Sequence, residues 1–445
     1  MNQYDYLIKK KPLKGILLFT IPIYIGQLFQ LSYSLIDTKI IGSALGERAL
    51  AAVGATTALS DLLIEFLNGI ACGFGIIIAN YIGAKEKEKA KSAIVGTVFL
   101  GVLITIAISV ICILFLPRIL GILKVPEELM ADADAYIKII VFGLIATTLF
   151  NIFVAILRAI GDSFTPFLFL ILSNLINIGL DLLAVYPLRM GVAGPAYATV
   201  IAQVISGVCC YIYMGKKHPE IQMSADGLRI NKQIVRQLLP QGMSMGFMIS
   251  FVTLGSLALQ SGINHLGTNI IVAHTAARKI TLMFLIPFFA LGTALATYCG
   301  QNLGAKEYDR IKKGIKDTIL AAFTWCLAAI TIIFLLSPIM VSILTSSDES
   351  EIIHNAVLYL KVNSVLFFLP AAICILRNSM QGLGDTKTPL ISSFIELAGK
   401  VVFAFLLVPV MGYMGVIISE PVVWAIMVIP LIIGIKRIVR NNYDE

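Results

Sequence analysis

Several stretches of this chain run for about 20 residues without a charged side chain, which is the length of helix that crosses the hydrocarbon core of a bilayer. Residues 97–116 (TVFLGVLITIAISVICILFL) and 318–337 (TILAAFTWCLAAITIIFLLS) are two of them. The chain has 445 residues, of which 58% are hydrophobic and 13% are charged, and its mean hydropathy is +0.90. Because so little polar surface cannot cover a water-soluble globule, the sequence predicts an all-α integral membrane protein.

Apolar runs bounded by glycine, proline and charged residues predict about twelve transmembrane helices. Their approximate bounds are 15–40, 49–82, 93–116, 131–157, 165–187, 192–213, 234–260, 268–299, 314–337, 352–377, 388–410 and 413–435.

The basic residues are distributed unequally over the two sides of such a membrane protein. One side holds four lysines near the N-terminus and the basic clusters at 85–91, 216–236, 306–316 and 436–440. The other side holds only Lys39, Arg48, Arg118, Lys124 and Arg189. The positive-inside rule therefore predicts that both termini of this multi-pass protein lie in the cytoplasm.

Other classes of function find no support in the sequence. The net charge is +8, but the basic residues lie in short connections between apolar runs rather than in one patch, so we expect no nucleic-acid partner. No nucleophile–base pair, metal-ligand spacing or phosphate-binding loop is evident, so neither an enzyme nor a bound cofactor is predicted.

Two segments in the first half recur in the second half. Residues 79–91 (ANYIGAKEKEKAK) resemble 300–312 (GQNLGAKEYDRIK), and 160–166 (IGDSFTP) resemble 383–389 (LGDTKTP). The offset between matching positions stays nearly constant across most of each half, which indicates registered copies of one six-span unit. Within these motifs we interpret Gly83, Gly304, Asp162 and Asp385 as helix-ending and helix-starting residues rather than site residues.

The duplication predicts two six-helix lobes. Their expected bounds are 1–213 for the N-terminal lobe, 214–233 for a cytoplasmic linker and 234–445 for the C-terminal lobe. An even number of spans inserts both copies in the same orientation, so the lobes should be related by a pseudo-twofold axis along the membrane normal. When the two halves are aligned, Pro22 and Pro240, near the start of each half, also match if a small gap is allowed.

With these features the chain resembles the multidrug and toxic compound extrusion (MATE) family over nearly its whole length. The resemblance rests on Pro22, Asp37, the run at 45–54, both Gly-Ala-Lys-Glu loops, Asn177, Asp181 and the run at 381–389. It implies a secondary active antiporter that exports small amphipathic, usually cationic compounds, driven by H⁺ or Na⁺ influx through alternating access. We expect such a protein to bind small-molecule substrates, to lie in the lipid bilayer of the plasma membrane and to function as a monomer.

Three alternatives are open to a duplicated twelve-span protein. A lipid-linked oligosaccharide or lipid flippase of the same superfamily would have extra spans, which are missing here. A carrier of the major facilitator type would have a longer central loop and Gly-x-x-x-Asp-[Arg/Lys] loops, which are absent from this sequence. A receptor or scaffold without transport is disfavoured by the duplicated halves and the buried acids.

Intramembrane ionisable residues are the natural candidates for ion coupling, because an unpaired charge in hydrocarbon costs several kcal/mol. Asn177 and Asp181 lie four residues apart and share one helix face. At about 1.5 Å per residue, Asp37, Asp181 and Thr199 fall at a similar depth. Two carboxylates, an amide and a hydroxyl suit either a Na⁺ cage or a proton-sharing acid pair. These positions also match the N-terminal cation site that the family resemblance implies, although a buried network that only fixes helix packing is the alternative.

A second charged group lies in the C-terminal half. Glu396 and Lys400 can form an intrahelical ion pair, and the repeat superposes Lys400 on Asn177 and Glu396 on Ser173. His274 and Arg278 share a face of the eighth span and either join this network or contact substrate.

The second span adds Asp61 and Glu65, which either attract a cationic substrate or pair with Arg278 or Lys279. The seventh span contains no acid, which puts a second cation site in doubt.

Overall fold

The computed structural model describes residues 6–219, 231–345 and 349–443, which form an all-helical protein. The α-helices are α1 (Tyr6–Lys9), α2 (Pro12–Gly83), α3 (Lys87–Ile122), α4 (Met130–Ala159), α5 (Phe164–Val185), α6 (Ala193–Lys217), α7 (Lys232–Ile263), α8 (Thr268–Gly304), α9 (Tyr308–Thr345), α10 (Ser350–Val365), α11 (Phe368–Gly382), α12 (Lys387–Val402), α13 (Val408–Met411) and α14 (Tyr413–Tyr443). A π-helical turn, Phe403–Leu407, joins α12 to α13.

Helix α2 contains the first two predicted spans. Its 72 residues would extend roughly 110 Å if straight, far more than the ~30 Å hydrocarbon core. The helical backbone is interrupted at Gly46, which has φ +83° and ψ 178°. A Cβ at Gly46 would meet no atom within 4 Å, so glycine is required there for its backbone conformation rather than for space.

The remaining spans agree with the sequence in number and approximate position. Within the described residues, ten helices are long and apolar enough to cross a membrane, or eleven when α10 and α11 are taken as one span bent by 56°. Because α2 supplies two spans, the predicted architecture of about twelve transmembrane helices is confirmed. The predicted span 352–377 corresponds to this bent pair.

Contacts divide the chain into two compact units, which we call the N-terminal and C-terminal units. The N-terminal unit comprises Met1–Tyr6 and Ile21–Gly246, and the C-terminal unit comprises Leu7–Thr20 and Phe247–Glu445. These bounds differ from the predicted lobes in two segments, since 7–20 packs with the C-terminal unit and the first part of α7 packs with the N-terminal unit. Of the predicted linker, residues 220–230 lie outside the described residues, and α6 extends into it as far as Lys217.

Close helix packing organises each unit. In the N-terminal unit, α4 packs against α3 and α6, and α6 also packs against α5. In the C-terminal unit, α8 packs against α9, α10 and α11, while α12 packs against α14. Gly382 allows the close approach of α11 to α8, because a Cβ at this position would lie 2.6 Å from the carbonyl oxygen of Ala296.

The repeated motifs have the same structure in both halves, and that structure is a helix-capping one. Helices α2 and α8 end at Gly83 and Gly304, but the left-handed residue that follows is a lysine, Lys85 (φ +59°) or Lys306 (φ +60°). The Asp162 carboxylate accepts hydrogen bonds from the backbone N–H groups of Phe164 (3.1 Å) and Thr165 (3.0 Å).

Asp385 caps α12 in the same way, accepting hydrogen bonds from the backbone N–H groups of Lys387 (3.0 Å) and Thr388 (3.1 Å). The aspartates therefore satisfy the first free N–H groups of α5 and α12.

We predict that Asp385→Ala lowers stability by about 1 kcal/mol, because two N–H groups at the start of α12 lose their acceptor. The matched variant Asp385→Asn keeps an acceptor oxygen and should melt within a degree or two of the wild type. Thermal melting in detergent measures both. Substrate transport by a folded Asp385→Ala protein should remain, and its loss would assign Asp385 a functional role instead.

Candidate cation site and buried charge network

The four polar residues predicted to form a cation site lie together in the N-terminal unit. Helix α2 supplies Asp37, α5 supplies Asn177 and Asp181, and α6 supplies Thr199. The Asp181 side chain is fully buried and Asn177 is 3% exposed, whereas Asp37 and Thr199 are partly buried. Three helices therefore converge on one cluster of carboxyl, amide and hydroxyl groups.

The Asn177 amide lies at the centre of this cluster. Its nitrogen donates to Tyr33 Oη and to Asp181 Oδ2, both at 2.6 Å, and its oxygen accepts from the backbone N–H of Thr199 at 2.9 Å. This orientation is assigned from the neighbouring groups, since the opposite one would direct the amide oxygen at the Asp181 carboxylate. The amide thus holds Asp181 in one position.

Asp37 and Asp181 form the acidic pair of the site. Their carboxyl groups lie within hydrogen-bonding reach of one another. Apart from the contact between these two carboxyl groups, Asp181 Oδ1 is buried without a hydrogen-bond partner among the described residues. Two carboxyl groups can hydrogen-bond only when one of them is protonated, and two ionised groups this close repel. An oxygen-rich, partly unsatisfied site of this kind fits a proton or a monovalent hard cation.

Two tyrosines complete the site and were not predicted. Tyr33 lies one helical turn before Asp37, and Tyr136 on α4 lies close enough to Tyr33, Asp37 and Asp181 to interact electrostatically with all three. The four-residue spacing from Asp37 is a signal that could have identified Tyr33. Tyr136 has no such signal, because no acidic side chain of the site lies on its own helix.

Five charged residues in the interior of the C-terminal unit form an alternating chain of acids and bases. Glu396 pairs with Arg377 and with Lys400, each at 3.0 Å, which confirms the predicted Glu396–Lys400 pair. Lys400 also lies 3.9 Å from Glu420, and Glu420 pairs with Arg278 at 2.5 Å. Arg377 and Glu420 were not predicted. Glu420 could have been found as the single acid of the apolar run 413–435.

His274 lies beside this chain rather than in it. Its ring packs edge-on against Tyr359, with ring centroids 5.1 Å apart, and against Tyr413 at 6.1 Å. Tyr359 donates a 2.6 Å hydrogen bond to Glu420, so His274 packs against a ring that contacts the network. His274 is buried, and its Nδ1 atom has no hydrogen-bond partner in the part of the chain that the structure describes.

Asp61 and Glu65 remain outside the cation site. Both side chains are exposed, Glu65 accepts a 3.4 Å hydrogen bond from Asn68, and Asp61 lies close enough to Tyr136 to interact with it electrostatically. Their proposed contact with substrate stays a prediction.

The two units use the same helix register around these sites. In the N-terminal unit, Tyr33 forms a hydrogen bond with Asn177. In the C-terminal unit, Lys400 donates a 3.2 Å hydrogen bond to Ser256. The two residues of each pair are 144 positions apart in the sequence. Ser256 thus corresponds to Tyr33 and Lys400 to Asn177, with the same offset along the chain for both helices. Pro22 and Pro240 are offset by 218 residues instead of the 223 that separate Tyr33 from Ser256, so their pairing requires the small gap and stays a prediction.

Comparison with known proteins shows the same duplication. The family model described as MatE matches the chain twice, over residues 22–183 and 244–406.

Similar proteins extend over almost the full length of the chain. The "Probable multidrug resistance protein YoeA" of Bacillus subtilis is 28% identical over 97% of this chain and 95% of its own length. The "Multidrug export protein MepA" of Staphylococcus aureus is 22% identical over 94% and 92% of the two chains. Among solved structures, the one described as "Crystal structure of MATE in complex with MaL6" has a TM-score of 0.91 with 24% identity, covering 100% of both chains.

Proposed function

The chain belongs to the MatE family of membrane transporters, and we propose that it is a secondary antiporter that exports small amphipathic, mainly cationic compounds in exchange for H⁺ or Na⁺. The relatives named for multidrug resistance and export support the class of substrate. As a transporter it is not an enzyme. The observation that carries the proposed ion coupling is the paired arrangement of Asp37 with the fully buried Asp181.

Ion binding at this pair links the charge of the site to helix packing. When Asp37 and Asp181 are both ionised, their repulsion separates α2 from α5. A proton or Na⁺ between them removes the repulsion, while the Asn177 amide holds Asp181 in place. Thr199 connects α6 to the same cluster. Occupancy of the site therefore draws three helices of the N-terminal unit together, and release loosens them.

The proposed orientation places both termini in the cytoplasm of a plasma-membrane protein that functions as a monomer. The basic residues support this orientation, because the lysine-rich loops at 85–91 and 306–316 would face the cytoplasm together with the N-terminal lysines.

Flux through purified protein in liposomes tests the proposed function. With ethidium as a fluorescent cationic probe, an imposed H⁺ or Na⁺ gradient should drive probe movement against the direction of the ion. A protonophore should abolish the effect if the ion is H⁺, and a sodium ionophore should abolish it if the ion is Na⁺. Liposomes without protein are the control. Probe movement that neither gradient changes would contradict the proposed antiport.

A further inference from the structure

Lys400 occupies the position in the C-terminal unit that Asn177, the central amide of the cation site, occupies in the N-terminal unit. The constant separation of 144 residues between each side chain and its hydroxyl partner establishes this equivalence. The same offset between the units places Tyr359 where Tyr136 stands, so an aromatic hydroxyl is present in both units.

The acids of the cation site have no counterparts at the equivalent positions. By the same offset, Gln260 stands where Asp37 does and Ala404 stands where Asp181 does. One unit thus carries two carboxyl groups and an amide, while the other carries a neutral amide, a methyl group and an ammonium group. Where the first unit can accept a cation, the second already contains one.

The surroundings of the Lys400 ammonium are those of a bound monovalent cation. Lys400 is 1% exposed, and its Nζ lies 3.0 Å from Glu396, 3.2 Å from Ser256 and 3.9 Å from Glu420. These ligands come from α12, α7 and α14, and they are two carboxylates and a hydroxyl, as in the N-terminal unit. A Cβ at Gly255 would lie 3.1 Å from Lys400 Cδ, so α7 packs closely along the lysine side chain.

We propose that the Lys400 ammonium is a covalently tethered counterpart of the exchangeable cation, so that the C-terminal unit permanently holds the charge that the N-terminal unit binds and releases. This inference rests on the proposed function in assigning ion exchange to Asp37 and Asp181. The C-terminal unit then keeps its cation-bound arrangement throughout the cycle. Coupling belongs to the N-terminal unit alone.

Chemical rescue tests the tethered cation without reference to transport. Lys400→Ala removes three methylene groups and the ammonium, and n-propylammonium supplies the same atoms. The variant should melt several degrees below the wild type, and propylammonium should restore its melting temperature in a saturable manner. Neutral 1-propanol should not, because it lacks the charge that Glu396 and Glu420 bind.

Matched variants separate a specific effect from a general one. Propylammonium should leave the melting temperature unchanged in wild type, in Lys279→Ala, which removes an exposed lysine of α8, and in Lys400→Met, where the side chain fills the space. An equal shift in all four proteins, or none in Lys400→Ala, overturns the proposal. Should Lys400→Ala not fold, propylammonium present during extraction should recover it. Failure to recover it while Lys400→Met folds also overturns the proposal.

A second measurement separates this proposal from the proposed function. In the double variant Asp37→Asn/Asp181→Asn no gradient should drive transport, since the C-terminal unit has no exchangeable cation. Residual coupling that disappears on adding Lys400→Met would show that Lys400 itself exchanges a proton, and would overturn the tethered cation. If the double variant retains coupling that Lys400→Met does not remove, the assignment of coupling to Asp37 and Asp181 fails, while the rescue experiment still decides the role of Lys400.

Discussion

Replacing Asp181 by asparagine is expected to reduce ion-driven efflux to the rate of passive leak while the protein stays folded. The asparagine keeps the size of the side chain, and it can still hydrogen-bond to the Asn177 amide. It removes the buried charge that must be neutralised by the coupling ion, so binding and release no longer change the packing of α2 against α5. Asp37→Asn should have the same effect, and Asn177→Ala a smaller one, because it removes a neutral ligand. Probe flux in proteoliposomes under H⁺ and Na⁺ gradients measures the result.

The matched control for these variants is Asp134→Asn on α4. Asp134 forms a surface pair with Lys138 at 2.6 Å, so its replacement removes a carboxylate without touching the site. This control should transport like the wild type, since an exposed pair contributes only about 0–1 kcal/mol. Undiminished coupling in well-folded Asp37→Asn and Asp181→Asn proteins would move the coupling site elsewhere, and Asp61 with Glu65 would be the next candidates.

Glu396→Gln is expected to destabilise the C-terminal unit by about 3–5 kcal/mol, the cost of leaving buried charges without their partner. Glu396 is the shared partner of Arg377 and Lys400, and these bases are 8% and 2% exposed in their side chains. Removing the acid leaves Arg377 without an ion-pair partner among the described residues. Lys400 keeps its hydrogen bond to Ser256, but the only carboxylate left near it there is Glu420 at 3.9 Å. Thermal melting in detergent should show a drop of many degrees.

Glu351→Gln on α10 is the control for this prediction. Glu351 is exposed and accepts a hydrogen bond from Asn269, so its replacement should change the melting temperature little. Combining Glu396→Gln with Lys400→Met should recover part of the loss, because the double variant removes one of the unpaired bases. A loss no larger than that of Glu351→Gln would mean that the network contributes nothing to stability.

The spans could be predicted because bilayer thickness fixes the length of a charge-free run. The interruption of α2 at Gly46 falls between the predicted spans 15–40 and 49–82, so the structure agrees with the sequence there. The bend between α10 and α11 could not be predicted, because hydropathy measures composition and not direction.

The cation site could be predicted to the extent that it contains ionisable residues. Asp37 and Asp181 stand out in apolar helices because their burial is costly, and the same reasoning should have identified Glu420. Tyr136 could not be found in this way, because a tyrosine is ordinary in a membrane helix and its role depends on which helices meet. For the same reason, no sequence pattern indicates that Arg278 pairs with Glu420 rather than with Glu396.

The equal spacing of the paired helices in the two units, 144 residues in each, has a consequence for how this protein can change. Around the two sites the duplicated copies have diverged from acids to a neutral amide and a methyl group, and from asparagine to lysine, yet the spacing between the paired helices is the same. Each inserted residue within one of these helices would rotate the following side chains by about 100°, and so would separate the hydroxyl from its partner. The side chains at the equivalent positions therefore differ between the two units, whereas the number of residues between the paired helices does not. Tags or reporter domains are therefore best placed outside residues 33–177 and 256–400. The segment between α6 and α7 is one such place, whereas a helix that supplies a site is not.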